Sequence, residues 1–195
     1  MTLETLIFDI SSAVKYFFST FGISFGTKLV MRKTNLNNLV DFVIVYCKAN
    51  GLSITPLKLQ KLLYYIQSWH IAKFKKNNLF NELPQAWVNG PVYRSVYDTY
   101  KTNFFKNEDI KYEVSGNLED ELKSKIDELN IEDKQVRIIN SVLKFYAPQA
   151  DGKLVLRTHT DKPWNQARKD LKPFERSTNE ITIDSMFSFY SKMLD

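Results

Sequence analysis

The side chains best suited to chemistry in this chain are its two histidines, His70 and His159. His159 lies two positions before Asp161, so the pair could work as an acid–base dyad, or the imidazole could cap carbonyls at a helix end. A dyad needs a nucleophile or a substrate beside it, and the sequence names neither. We therefore predict a structural, helix-capping role for His159 and a core position for His70, which lies on an apolar helix face.

The common enzyme signatures are absent from the sequence. It contains no GxSxG nucleophile elbow, no HExxH motif, no P-loop and no GxGxxG motif. Its single cysteine, Cys47, cannot form an internal disulfide, and no Cys/His cluster has the spacing of a zinc site. We therefore expect a chain that is not an enzyme, that uses no metal or cofactor, and that works in the reducing cytoplasm.

Charge is unevenly distributed along the chain, although the formal net charge is only +5. Residues 28–76 contain nine basic residues and one acidic residue, whereas residues 107–133 contain ten acidic residues and three lysines. Such blocks can steer a charged partner, or they can simply form solvated faces. Because the basic residues are mostly lysine and no zinc-finger or RRM signature is present, nucleic acid is an alternative partner rather than the favoured one.

The segment 55–74 predicts the central helix of the core. Thr55 can serve as the N-cap, and Pro56 fits the first helical position, where its missing N–H costs nothing. Apolar and aromatic side chains then recur at helical spacing on one face: Leu59, Leu62, Leu63, Ile66, Trp69 and His70. The side that we predict to face outward, where it could reach a partner, carries Lys61, Tyr64 or Tyr65, and Gln67.

Periodicity and turn residues divide the rest of the chain into short elements. The predicted helices cover residues 36–49, 91–102, 118–130, 132–146, 151–159 and 164–170, with a last helix capped by Asp184. The predicted short strands cover residues 85–88, 110–114 and 181–183. Together these elements predict a mainly α, compact multi-helix domain over residues 35–195, with a small minor β-sheet of two or three short strands.

Residues 1–34 form a separate N-terminal extension that is apolar and aromatic at the spacing of an amphipathic helix. Asp9 and Lys15 interrupt the apolar run too early for a membrane span, and no small-residue cleavage site follows it. Three interpretations remain: a helix packed on the domain, which we favour, an interfacial helix that contacts a membrane, or sequence upstream of a start at Met31.

Four segments of the chain carry a resemblance to a known family. They are TPLKLQKLLYY at 55–65, AWVNGPV at 86–92 with Val96 and Tyr97 after it, the stretch from Leu154 to THTDKPW at 158–164, and the strand and helix around 181–189. In this order and spacing the chain resembles the SocA-like antitoxin family, or Panacea domain, also described as phage-associated GepA-like proteins.

The resemblance implies a mostly helical antitoxin, encoded beside a toxin in bacteria or their phages, that neutralises the toxin by direct protein–protein binding. One branch of the family acts instead as an adaptor that delivers its toxin to a protease, and a DNA-binding autoregulator is a further alternative. We therefore expect a cognate toxin as the partner, with a protease as a second one. The candidate partner-binding residues are Lys61, Tyr64, Tyr65, Trp87, Asn89, Gly90, Pro91, Val92, Tyr93, His159 and Trp164.

Overall fold

The computed structural model describes residues 31–106, 108–114 and 116–194. These residues form a mainly α-helical fold with one antiparallel pair of short strands, which confirms the predicted fold class. The predictions for residues 1–30, an amphipathic helix with membrane contact or an upstream leader, lie outside the described residues. The domain boundary at residue 35 stays a prediction.

The elements follow one another closely along the chain. The helices are α1 (Leu36–Ala49), α2 (Pro56–Lys73), α3 (Arg94–Lys106), α4 (Leu118–Glu128), α5 (Asp133–Tyr146), α6 (Asp151–Thr160), α7 (Lys162–Ala167) and α8 (Ile183–Tyr190). The strands are β1 (Gln85–Trp87) and β2 (Gly90–Val92), and a 3₁₀ turn (Ser191–Met193) follows α8. Within the described part of the chain, no helix is long and apolar enough to cross a bilayer.

Helix α2 is the centre of the fold, as the sequence predicts. The Thr55 hydroxyl accepts a hydrogen bond from the Lys58 amide at 3.1 Å, so the N-cap forms as expected. Helices α1, α3, α5, α6 and α8 and strand β2 all pack against α2. As a result every residue of α2 is buried except Leu57 and Lys73 at its two ends.

The prediction that α2 has an outward side is therefore wrong. Lys61, Tyr64, Tyr65 and Gln67 are all buried, because neighbouring elements surround the helix. These elements supply hydrogen-bond partners for Lys61 and Gln67, whereas the hydroxyls of Tyr64 and Tyr65 are buried without one in the described part of the chain. The Gln67 amide, for example, donates to the Phe80 carbonyl at 3.0 Å and accepts from the Leu79 amide at 2.8 Å. A polar residue on a core helix is stable inside the protein when its hydrogen bonds are satisfied in this way.

The short elements between 85 and 114 differ from the prediction. Residues Gly90–Val92 pair with Gln85–Trp87 as a strand, so the helix expected to begin at Pro91 begins at Arg94 instead. The strand expected at residues 110–114 is absent from the described residues. The alternating pattern matches alternating burial without strand pairing: Ile110 is buried, Tyr112 and Val114 are half-buried, and Lys111 and Glu113 are exposed. The Ile110 amide donates to the Ile54 carbonyl at 2.9 Å.

The C-terminal strand is also shorter than expected. Glu180 forms an isolated antiparallel bridge with Gln85, and the Ile181 amide donates to the Pro84 carbonyl at 2.8 Å. Ile183 already opens helix α8, whose N-cap is Thr182 and not Asp184, because the Thr182 hydroxyl accepts from the Ser185 amide. This segment therefore lies along β1 without becoming a full third strand.

Candidate functional site

Strands β1 and β2 form a tight hairpin, residues 85–92, that holds several predicted site residues. Trp87 pairs with Gly90 across a two-residue tip, Val88 and Asn89. Asn89 is exposed and Trp87 is half-buried, whereas β2 is buried along its whole length. The hairpin thus presents its tip to solvent while its second strand lies against the core.

Two buried side chains of α2 hold the second strand and the residue after it. Lys61 Nζ donates to the Pro91 carbonyl at 3.0 Å. Gln60 bonds both backbone groups of Tyr93, since its amide nitrogen donates to the carbonyl at 3.2 Å and its oxygen accepts from the amide at 2.7 Å. These bonds join buried groups that water cannot reach, so they fix the strand against α2.

Side chains from the C-terminal half of the domain hold the first strand. Trp164 Nε1 donates to the Trp87 carbonyl at 3.0 Å, and Arg168 Nη1 donates to the Ala86 carbonyl at 2.7 Å. The Arg168 guanidinium also lies 5.2 Å from the Trp164 ring centroid and donates through Nη2 to the Glu175 carbonyl at 2.7 Å. One buried arginine therefore connects the hairpin to the loop at 172–175.

Gly90 allows the hairpin to approach the core this closely. Its φ of +96° lies in a region that side chains with a Cβ rarely adopt. A Cβ built at this position would lie 2.6 Å from Thr158 Oγ1 and 2.8 Å from Lys61 Nζ. Both the backbone and the available space therefore require glycine at this point of the turn.

Lys61 is fully buried beneath the hairpin. Burial lowers the pKa of Lys61 to about 7, because an ammonium group loses its hydration in the interior. Burial also lowers the pKa of His159, and the nearby charge of Lys61 acts in the same direction. The underside of the hairpin is thus a place where positive charge is disfavoured.

His159 adopts a different role from the one predicted. Its ring stacks on Trp164, with centroids 4.2 Å apart and an interplanar angle of 16°. The backbone of Val88 partly opposes the lowering of the His159 pKa, and His159 Nε2 is buried without a hydrogen-bond partner among the described residues. The ring therefore contacts the hairpin tip and Trp164 instead of the helix-end carbonyls, and the predicted capping role is wrong.

Asp161 lies in the core rather than beside His159. The Tyr190 hydroxyl donates to its carboxylate, and both groups are buried. Burial raises the pKa of Asp161 to about 7, against the opposing effects of the Tyr190 and Tyr65 hydroxyls and of the Arg157 charge. Among the described residues no hydrogen bond joins the side chains of His159 and Asp161.

Tyr64 and Tyr65 belong to this interior cluster. The Tyr65 ring stacks on Tyr146 at a centroid distance of 4.0 Å, and Trp69 Nε1 donates to the Tyr146 hydroxyl at 3.2 Å. Both tyrosines also contact Tyr190 edge-on. They stabilise the core and do not reach the surface.

The predicted site residues thus divide into two groups. Those that are buried are Lys61, Tyr64, Tyr65, Gly90, Pro91, Val92 and Tyr93, and those that are exposed or half-buried are Trp87, Asn89, His159 and Trp164. Sequence reasoning missed Gln60, which lies in the LQKLLYY motif, and Arg168, for which the sequence carries no signal. Only the residues of the second group have exposed surface with which to contact a partner directly.

The motifs that hold the hairpin agree with a family comparison. A model of the family described as antitoxin SocA-like, Panacea domain, matches residues 59–165. The chain belongs to this SocA-like antitoxin family. The matched range covers more than half of the chain and contains Lys61, the hairpin and Trp164. Searches of the curated proteins and of the solved structures found no match to this SocA-like domain.

Proposed function

We propose that this chain is an antitoxin that neutralises a cognate toxin by direct protein–protein binding at the surface around the hairpin. Family membership supports the antitoxin role. The observation that supports the hairpin is its anchoring: Lys61, Trp164 and Arg168 bond its backbone from two sides, while Asn89 at its tip stays exposed. A surface fixed before binding loses little conformational entropy when a partner docks.

Aromatic side chains around the hairpin supply the material for such an interface. Trp87, Trp164 and His159 are half-buried and lie close together at the tip. Aromatic residues dominate binding energy at protein interfaces, because each combines a large apolar area with few rotatable bonds. We therefore infer that the toxin contacts this edge of the domain.

We further propose that the chain catalyses no reaction on its partner. The groups that could do chemistry are enclosed: Lys61 is buried beneath the hairpin, and Asp161 is buried against Tyr190. His159 is engaged with Trp164 and bonds to neither of them. If this proposal holds, any loss of neutralising activity in His159→Ala should be matched by an equal loss of affinity for the toxin, because the imidazole then acts by contact alone.

Nucleic acid is a less suitable partner than a protein. Lys58 and Lys61, two members of the basic block, are buried and cannot reach a phosphate backbone. Delivery of the toxin to a protease is the alternative mode of neutralisation. Both modes begin with binding of the toxin, so the hairpin surface serves either one.

Co-expression with the adjacent reading frame tests the proposal. We expect the neighbouring gene alone to arrest growth, and the same gene together with this chain to allow growth, with the two products copurifying. Equally poor growth with and without the chain would contradict the proposal. Rescue that disappears in a protease-deficient host, together with a stable toxin level there, would assign neutralisation to delivery rather than sequestration.

A further inference from the structure

A stripe of polar side chains runs along one side of α2, inside the protein. Tyr64, Tyr65 and Ser68 follow Lys61 at spacings of three, four and seven residues, so the four side chains lie on the same side of the helix. None of them is more than 1% exposed. We refer to these four residues as the polar seam, together with five residues of neighbouring segments: Tyr93, Arg157, His159, Asp161 and Tyr190.

The tyrosines of the polar seam lie against one another. Tyr64 and Tyr65 contact the Tyr190 ring edge-on, at centroid distances of 6.2 and 6.4 Å, and the Tyr190 hydroxyl donates to the Asp161 carboxylate. Burial raises the pKa of Tyr93, and the neighbouring Tyr64 acts in the same direction. The hydroxyls from α2, from the residue after β2 and from α8 are therefore close together in the core.

Helix α6 and the residue after it bring ionisable groups to the polar seam. The positive charge of Lys61 adds to burial in lowering the pKa of His159, so these two groups are neighbours beneath the hairpin. The Arg157 guanidinium is 2% exposed, and its charge opposes the burial that raises the pKa of Asp161. The seam thus extends from Lys61 under the hairpin to Asp161 beside α8.

Six buried side-chain atoms lack a hydrogen-bond partner among the described residues, and all six belong to the polar seam. They are the hydroxyls of Tyr64, Tyr65, Ser68 and Tyr93, together with Arg157 Nη1 and His159 Nε2. The large majority of buried polar atoms in proteins have a partner, because a buried group without one loses its hydration and gains nothing in return. Six such atoms in one part of the core indicate a ligand that bonds them.

The six atoms also define the chemistry of this ligand. The hydroxyls can donate and accept, the Arg157 guanidinium can only donate, and Nε2 of a neutral His159 accepts when its proton is on Nδ1. One kind of ligand that serves all of them must both donate and accept, and a buried water molecule does so through about three hydrogen bonds.

We propose that the polar seam is a binding site for a cluster of ordered water molecules, which connects Lys61 beneath the hairpin with Asp161 and Tyr190. The waters supply the partners that allow a polar stripe of α2 to be buried against α6 and α8. The site is internal, and it does not depend on the proposed antitoxin function.

Removal of single hydroxyls tests the inference with matched variants. Tyr64→Phe and Tyr93→Phe each delete one of the six atoms and keep the ring. Tyr146→Phe is the reference, since its hydroxyl has a protein donor, Trp69 Nε1 at 3.2 Å. Tyr46→Phe, at a half-buried tyrosine of α1, is the control.

We expect Tyr64→Phe and Tyr93→Phe to lower the midpoint of urea unfolding about as much as Tyr146→Phe does, because each loses a bonded hydroxyl. The midpoint of Tyr46→Phe should equal that of the wild type. An unchanged or higher midpoint in both seam variants would overturn the inference, since removal of a hydroxyl that bonds nothing costs no stability.

A crystal structure of the wild-type chain, at a resolution that shows ordered water, locates the ligand directly. We expect separate water peaks within about 3.2 Å of the six atoms, and the loss or displacement of at least one peak in Tyr93→Phe. Three results would overturn the inference: hydroxyls that bond one another with no peak between them, one continuous density for an organic molecule, or a single anion on Lys61 and Arg157.

Discussion

At the scale of single residues, the interior of this domain holds two ionisable groups whose pKa values lie close to neutral pH. Lys61 and Asp161 are both buried, and burial moves the pKa of each to about 7 from opposite directions. Each keeps polar partners, the Pro91 carbonyl for Lys61 and the Tyr190 hydroxyl for Asp161. Their protonation should therefore be coupled to folding in a measurable way.

Asp161 should make stability fall as the pH rises from about 4 to about 7. Its pKa is raised to about 7 in the folded state from 3.8, so the folded state binds more protons than the unfolded state in this window. The stability that the protonated carboxyl contributes is fully present below the unfolded pKa of 3.8. It is lost as the pH rises through the folded pKa of about 7. The free energy of unfolding should decline by up to about 1.4 kcal/mol per pH unit from this group.

Asp161→Asn removes this titration while keeping an oxygen that can accept from Tyr190. We expect the difference in unfolding free energy between wild type and variant to decrease as the pH increases, measured by urea unfolding between pH 4.5 and 7.5. Asp127→Asn, at an exposed carboxylate of α4, is the control and should follow the wild-type profile. Parallel profiles for wild type and Asp161→Asn would show that the carboxyl titrates alike in both states.

Single residues were predictable where their partners are close in sequence or where the environment is apolar. The Thr55 cap is confirmed, and so is the core position of His70, whose two ring nitrogens hydrogen-bond Asn77 and Gln135 at 2.8 Å. Helical spacing puts Lys61 away from the apolar face of its helix and so predicts an exposed side chain, whereas the structure buries it. Its partner, the Pro91 carbonyl, lies thirty residues away, and periodicity carries no information about such a contact.

At the scale of elements, the hairpin depends on side chains that lie far from it in sequence. Two strands of three residues are too short to be stable alone. Lys61 holds β2 and Gln60 holds the residue after it, whereas Trp164 and Arg168 hold β1. The hairpin is therefore a product of the packing of α2 and the C-terminal half around it.

Arg168→Ala should destabilise the domain by about 2–4 kcal/mol, because it leaves the buried Ala86 carbonyl without its donor and releases the Glu175 carbonyl. Arg168→Lys should recover only part of this, since an ammonium group lacks the planar fork that reaches both carbonyls. Denaturant unfolding gives the free energies, and hydrogen exchange at the Ala86 amide, which donates to Asn179, reports on the strand.

Arg176→Ala, at an exposed arginine directly after the loop at 172–175, is the control for this experiment. It should change the free energy of unfolding by less than about 0.5 kcal/mol. Equal stability of Arg168→Ala and Arg176→Ala would mean that the guanidinium does not hold the hairpin.

Helices were predicted more accurately than strands for a physical reason. The helices at 36–49 and 132–146 form within a residue of their predicted bounds, because helical spacing and capping residues are local signals. The strand at 90–92 was missed because Pro91 also suits the start of a helix. Strand pairing depends on residues distant in sequence, so a three-residue strand leaves little trace in its own composition.

At the scale of the whole molecule, the residues of the family motifs form the internal scaffold that holds the hairpin. The motif residues Lys61, Gly90 and Trp164 hold the hairpin in place, and two of the three are buried. The sequence could therefore identify the family and the fold class from these motifs. It could not show which motif residues are exposed, since Lys61, Tyr64 and Tyr65, predicted to reach a partner, are buried.

We propose that neutralisation occurs by binding and involves no chemical change to the toxin. The most direct test is to mix the purified chain with the product of the adjacent reading frame at increasing molar ratios. The complex is then measured by size-exclusion chromatography with light scattering, and the toxin by intact-mass spectrometry. We predict a complex of fixed stoichiometry that contains toxin of unchanged mass. Toxin of altered mass, inactivated by sub-stoichiometric amounts of the chain without a stable complex, would contradict the account.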